Sequence, residues 1–295
     1  MARIAHLSDV HFGAHDPVVV EAVTAWLVKE RPDLVVVSGD FTQRARVAQY
    51  REAHLWLRRL REAGLRTLSV PGNHDVPLYD VFRRFMRPLN RYRRYIDRDL
   101  CPFVELEDAA VLGINTARSM TFKDGSVGIE QIQMIRERFS EVAEGKARIL
   151  VTHHPLFAMP IGDEGGLSKV ANRSTDALAA VAQAGVDILL AGHFHRTYAN
   201  SAREMVDTAG PALVVQAGTA TSVRLRGEEL QSFNWLDVGK DRVELVVQRW
   251  DGSAFLPGRP TIFSRDGDNW HFAGRNEEEG VPAEEVAERA DAAAD

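Results

Sequence analysis

The chain has 295 residues, 45% of them apolar, and a formal net charge of −6, enough apolar content for a substantial core in one large domain or two small ones. Its single cysteine, Cys101, excludes an internal disulfide and fits a reducing compartment. Eight acidic residues stand against one arginine after Arg275, so the remainder carries about +1 and lacks the basic footprint of a general nucleic-acid binder.

In chain order, an apolar run over residues 3–8 reads as a buried strand and ends at Asp9-Val-His11. Side chains two apart in an extended exit face the same way, so Asp9 and His11 are expected to reach one ion. A helix start in which Asp9 only caps is the bland alternative. Residues 17–30 carry apolar side chains at helical spacing with proline at the start. A second strand, 33–38, leads into Gly39-Asp40, whose carboxylate has two oxygens and can bridge two cations; a plain Gly-Asp turn would look the same alone. Residues 47–63 form a second helix, closed by Gly64. The strand 66–71 ends at Gly72-Asn73-His74-Asp75. There the Asn73 amide oxygen is a neutral ligand, His74 an acid outside the metal shell, and Asp75 the group expected to orient His74.

Residues 83–98 hold seven arginines among apolar residues at helical spacing. They read as one amphipathic helix, either a cap (79–98) that draws phosphate-bearing substrates inward or a solvated or subunit-contact face. Asn115 follows a further strand end and is a candidate for contact with substrate. Helices are expected over 129–139 and 174–184. Between them, strand 148–152 ends at His153-His154, of which alternation allows one to face the ions; spacing does not choose between them. The glycine-bearing loop 158–172 is a lid candidate or an ordinary surface loop. Strand 186–191 ends at Gly192-His193-Phe194-His195, with one imidazole for each ion. Strands follow over 212–217, 231–238 and 242–250, the last two joined by a hairpin at Gly239-Lys240-Asp241. His6, His15, His54 and His271 lack a partner pattern, and His6 is expected in the core. Alternation followed by a strand-rich end implies an α/β core with extra strands closing a second sheet. The domain is expected over 1–275. The charged, simple tail 276–295 is expected to be mobile.

No run approaches the roughly 18 consecutive apolar residues that span a bilayer. The opening Met1-Ala-Arg-Ile-Ala-His shows no charged-then-apolar leader, so a cytoplasmic protein without membrane contact is expected.

The ordered set Asp-x-His, Gly-Asp, Gly-Asn-His-Asp, His-x-Pro and Gly-His-x-His resembles the calcineurin-like metallophosphoesterase superfamily. The variant is most similar to bacterial class III cyclic nucleotide phosphodiesterases and related glycerophosphodiesterases. The resemblance runs over about residues 2–236. It implies a two-sheet sandwich flanked by helices, in four layers (α/β/β/α). It also implies one metal held by Asp9, His11, Asp40 and His195 and a second by Asp40, Asn73, His153 and His193. His153 is preferred to His154 because it lies two before Pro155. His74 matches the family's transition-state or leaving-group histidine, with Asp75 behind it. The implied reaction is attack on a small phosphodiester by a hydroxide bridging the ions. Mixed nitrogen and oxygen ligands suit Zn, Mn, Fe, Co or Ni rather than Ca, and the resemblance favours Mn or Fe. Phosphomonoesterase or lipid-precursor pyrophosphatase action is the alternative activity, and a metal-binding scaffold the alternative without catalysis. A homo-oligomer is left open.

Overall fold

The computed structural model describes residues 1–120, 124–158, 160–161, 166–167, 169–201, 212–225, 229–267 and 269–275. In chain order the elements begin with β1 (Ala2–Leu7), α1 (Pro17–Glu30), β2 (Leu34–Val37), α2 (Val47–Glu62) and β3 (Thr67–Ser69). Next come α3 (Val81–Met86), α4 (Asn90–Tyr95), β4 (Phe103–Glu105), β5 (Ala109–Ile114), α5 (Ile129–Ser140) and β6 (Ala147–Thr152). The short strands β7 (Pro160–Ile161) and β8 (Gly166–Leu167) precede α6 (Ser174–Gln183), β9 (Ile188–Ala191), β10 (Tyr198–Ser201) and β11 (Leu213–Gln216). The chain then continues through β12 (Ser232–Val238), β13 (Arg242–Trp250), β14 (Phe255–Pro257), β15 (Thr261–Asp266) and β16 (Asn269–Arg275).

Two sheets form. One runs β16-β15-β13-β12-β1-β2-β3 with β14 beside β13; the other runs β10-β11-β9-β6-β5-β4. β1, β2 and β3 are mutually parallel, as are β5, β6, β9 and β11. Their carboxyl ends therefore share one edge of each sheet, where α/β folds place ligands.

The near-continuous apolar character of these strands has a direct cause: both faces are covered. In β2, Leu34 and Val36 face the space between the sheets, packed with Ile4, Val151 and Leu190. Their neighbours Val35 and Val37 face outward into α1 and α2 against Leu27, Trp56 and Leu57. The second sheet repeats this, with Leu112, Leu150 and Leu189 turned outward onto Ile135, Phe139 and Val181 of α5 and α6. The result is the four-layer α/β/β/α sandwich. α1 starts as its sequence dictates: Asp16 accepts the Val18 N–H at 2.8 Å and Pro17 opens the helix.

Two expectations are corrected. The single helix over 83–98 is two short ones, α3 and α4. Pro88 lacks an N–H and forces the residue before it out of helical geometry, and Arg87 adopts φ −150°, ψ 58°. The sequence pattern also stopped at Trp250, whereas β15 and β16 extend the first sheet and bury Phe263 and Trp270. The 276–295 tail and most of the 158–172 loop's glycines lie outside the described residues. Among the described residues, no helix is long and apolar enough to cross a membrane.

At the edge remote from those carboxyl ends, Asp187 ties the sheets together. It is 1% exposed and accepts from Lys240 Nζ at 2.8 and 3.0 Å, from the Arg265 guanidinium and from the Arg148 N–H at 2.8 Å. Asp187→Ala leaves two cations and a buried N–H without their acceptor, and is expected to lower the unfolding free energy by about 3 kcal/mol. Denaturant melts should show this loss with bound metal unchanged. Loss of metal from the still-folded variant would contradict a purely structural role.

Candidate metal centre

The site residues follow the carboxyl ends of five parallel strands, three from one sheet and two from the other. Asp9 and His11 follow β1, Asp40 follows β2, Asn73 to Asp75 follow β3, His153 follows β6, and His193 and His195 follow β9. Extended alternation would put the paired residues on one side of each strand exit. The structure brings them together differently. Asp9, His11, Asp40, His193 and His195 all have positive φ, at 53°, 52°, 53°, 83° and 57°. Left-handed backbone costs a residue with a Cβ roughly 1–2 kcal/mol, and such strain clusters where the surrounding structure enforces it for function. Cross-strand hydrogen bonds enforce it here, among them His11 N to Asp40 O at 2.9 Å and Asp9 N to Gly39 O at 3.1 Å.

The donors form two touching groups. In the first, Asp9 Oδ1 lies 3.1 Å from His195 Nε2 and 3.5 Å from His11 Nε2, and the two imidazole nitrogens are 3.2 Å apart. In the second, Asn73 Oδ1 lies 3.1 Å from His153 Nε2 and 3.0 Å from His193 Nδ1. Asp40 stands between them, its Oδ2 3.8 Å from His11 Nε2 and 3.4 Å from His153 Nε2. Ligands at about 2.0–2.2 Å from a shared transition-metal ion lie about 3.0–3.5 Å from one another, so these spacings fit a cation inside each group. Asp9 Oδ1 is buried with no hydrogen-bond donor, a cost that a bound cation removes. Among the described residues, three sets of His and Asp side chains lie close enough to hold an ion: Asp9, His11 and His195; Asp9, Asp40 and His153; and His153, His154 and His193.

Main-chain carbonyls set the imidazole orientations. His153 Nδ1 donates to Ser38 O at 2.7 Å and His195 Nδ1 to Arg224 O at 3.2 Å, which turns each Nε2 inward. These orienting groups carry no side-chain signature and were not legible in the sequence. His154 Nδ1 lies 2.8 Å from Thr116 Oγ1, and burial together with neighbouring His153 and His193 keeps its pKa well below that of a free imidazole. Its Nε2 has no partner.

The same forces act on the carboxylates. Burial alone would raise Asp9 and Asp40, but His195 and His11 hold Asp9 well below the usual carboxylate range, and His153, His74 and His11 do the same for Asp40. Burial, with His153 beside it, lowers His193 to about 3, which leaves a neutral imidazole able to ligate.

Asp75 does not orient His74. His74 Nδ1 donates instead to Gln43 O at 2.8 Å. The Asp75 carboxylate accepts from Gly72 N, Phe41 N, Thr42 N and Thr42 Oγ1 at 3.0–3.2 Å, stitching the β2 and β3 exits together. Residues 73–75 form one 3₁₀ turn, where consecutive side chains diverge by about 120°. That divergence turns Asp75 inward while His74 faces the cavities. Burial, with Asp40 nearby, pushes the Asp75 carboxyl up to about 7.

Two glycines are dictated by close approach to this centre. Gly39 has φ +103°, and a Cβ there would lie 2.5 Å from the His153 ring. A Cβ on Gly72 would sit 2.1 Å from Asp40 Oδ1 and 2.4 Å from the Asp40 backbone nitrogen. No side chain fits either place.

Two cavities flank the donors and meet at Asn73 and His74. One, of about 290 Å³, extends past His154, Asp124 and Lys169. The other, of about 350 Å³, extends past Arg44, Tyr79 and Arg224. Of the arginines expected to serve a cap, Arg84 borders the second cavity, its guanidinium engaged by Pro77 O and Ser119 O at 3.0 and 2.8 Å. Arg93 and Arg98 line a separate cavity with Asn115, whose Oδ1 accepts the Ala117 N–H at 2.9 Å. Asn115 is thus not at the metal centre. His6 is fully buried, its Nε2 2.9 Å from Ser38 Oγ.

Over 97 residues the chain is 37% identical to the glycerophosphodiester phosphodiesterase GpdQ of Enterobacter lignolyticus, a match covering 29% of this chain and 33% of that protein. Over 89 residues it is 30% identical to the DNA double-strand break repair protein Mre11 of Aeropyrum pernix, covering 26% and 22% of the two chains. The match thus spans a third or less of the length of these curated relatives. A dimetal phosphatase from Danio rerio shares the fold, with TM-score 0.60 at 12% identity over 87% of this chain and 98% of that one. The calcineurin-like phosphoesterase pattern matches residues 2–197, the stretch that carries all five strand-exit clusters, and the chain belongs to that family.

Proposed function

We propose that the protein is a dinuclear metal-dependent phosphodiesterase acting on small phosphodiesters. Asp9, His11, Asp40 and His195 would hold one ion and Asp40, Asn73, His153 and His193 the other. Manganese or iron suits this donor set, as do zinc, cobalt and nickel. Bound metal supplies Lewis acidity towards the phosphoryl oxygens and lowers the pKa of a coordinated water.

The chain's own residues do the rest. Asp9 and Asp40 stay ionised, and Ser38 O and Arg224 O fix the imidazoles of His153 and His195, so the donors need no rearrangement when the centre fills. With Nδ1 donating to Gln43 O, His74 keeps Nε2 for the cavities on either side. When protonated, it can stabilise charge building on a phosphoryl oxygen and give a proton to the departing alkoxide as the P–O ester bond breaks.

The observation that carries the diester reading is the pair of cavities. A phosphoryl group held beside Asn73 and His74 has a separate space on each side, one for each ester substituent. A monoester would use only one. Manganese-loaded protein should therefore hydrolyse bis(4-nitrophenyl) phosphate with a kcat/KM above that for 4-nitrophenyl phosphate. The reverse preference would favour phosphomonoesterase or pyrophosphatase action, and turnover of neither with any transition metal would favour a metal-binding scaffold. No membrane partner enters this reading, and a cytoplasmic setting is part of the proposal.

A further inference from the structure

The two cavities differ in charge, and the difference sorts the two ester arms. In the first, Lys169 Nζ lies 3.6 Å from Asp124 Oδ2, and the Asp40 carboxylate also lines the wall, so no unpaired cation is on offer among its described lining residues. The second has Arg44, Arg84 and Arg224 on its walls and no carboxylate among its described lining residues. Arg84 is 3% exposed and serves as floor, bound to two carbonyls. Arg44 and Arg224 are exposed, and among the described residues neither forms an ion pair.

Both arginines are placed by the catalytic framework itself. Arg44 follows Gln43, whose carbonyl orients His74, and its own N–H is fixed by Gln49 Oε1 at 2.9 Å. Its guanidinium lies over the Tyr79 ring, 5.6 Å from the centroid, a contact that favours one side-chain position. Arg224 carries the carbonyl that orients His195. Both arginines thus line the cavity that opens on the His74 side.

Resting on the diester reading above, we propose that the substrate is a phosphodiester with an anionic group, phosphate-like or carboxylate, on one arm, and that Arg44 and Arg224 bind that group. Guanidinium groups donate forked hydrogen bonds that match both oxyanions. Tyr79, Val76 and Leu78 line the same cavity, which suits an arm with an apolar stem and a charged end.

The test uses three ethyl alkyl phosphodiesters with second arms of equal length: butyl, 3-carboxypropyl and 3-phosphonopropyl. Products are followed by mass spectrometry with manganese-loaded protein. Charge-assisted hydrogen bonds of ordinary strength predict kcat/KM about tenfold higher for an anionic arm than for butyl. The preference should narrow as salt rises. The carboxylate and phosphonate arms tell which oxyanion the pocket prefers. Arg44→Ala/Arg224→Ala should bring the ratio towards one. Equal turnover of all three diesters by the wild type would overturn the inference while leaving the diester reading intact. So would an equal loss on all three in the double variant, the mark of a merely structural role. Turnover of none of them, with 4-nitrophenyl phosphate hydrolysed, would overturn the diester reading and this inference with it.

Discussion

His74→Ala is expected to keep its metal and lose about 10²- to 10⁴-fold in turnover, the usual contribution of a positioned acid. No distance at the site makes His74 part of either donor group. Its imidazole packs edge-on against His11, centroids 4.9 Å apart, and its Nδ1 is held by Gln43 O. The backbone N–H of residue 74, which survives the substitution, donates to Asp40 Oδ1 at 2.8 Å. Truncation therefore leaves the bridge position anchored. Elemental analysis beside steady-state kinetics checks this. Metal lost in proportion to activity would show that His74 holds the centre together rather than acting on the substrate.

Asp40→Ala is expected to release both ions and abolish turnover, a loss of at least about a thousandfold given what metal catalysis supplies. The carboxylate is 1% exposed and lies between the two donor groups, so each would lose a ligand and a compensating negative charge together. Because Asp40 also accepts the His74 N–H, the isosteric Asp40→Asn provides a second reading with the turn intact. It too should bind metal more weakly, since the charge is gone. Thermal stability of the wild type should rise with added metal and that of Asp40→Ala should not, the expected gap being about 2.7 kcal/mol at a hundredfold excess over Kd. Full metal loading with a normal rate in either variant would refute the bridging role.

The strands and the cluster order were legible because each buried strand is apolar on both faces and stops abruptly at a polar pair. Gly39 and Gly72 were legible as glycines, though the reason for them is tertiary: Gly39 meets His153 of the other sheet and Gly72 meets Asp40 at the neighbouring strand exit. Three things were not legible. Left-handed backbone at Asp9, His11, Asp40, His193 and His195 leaves no mark in residue identity and is imposed by tertiary hydrogen bonds. Asp75 stands next to His74 in sequence, yet the tight turn sends the two side chains apart, so adjacency misled. Orientation of His74, His153 and His195 by carbonyls of Gln43, Ser38 and Arg224 involves atoms that every residue has. The split of α3 from α4 was written at Pro88 and overridden by attention to the apolar spacing around it. β15 and β16 were missed because only Phe263 and Trp270 pack into the inter-sheet core, so neither strand carries a continuous apolar run.

Anomalous diffraction from crystals soaked in manganese tests the central claim most directly. Two peaks are expected, one bounded by Asp9, His11, Asp40 and His195, the other by Asp40, Asn73, His153 and His193, with Asp40 touching both. A single peak, or none among these side chains at saturating manganese, would contradict the dinuclear centre on which the proposed chemistry depends.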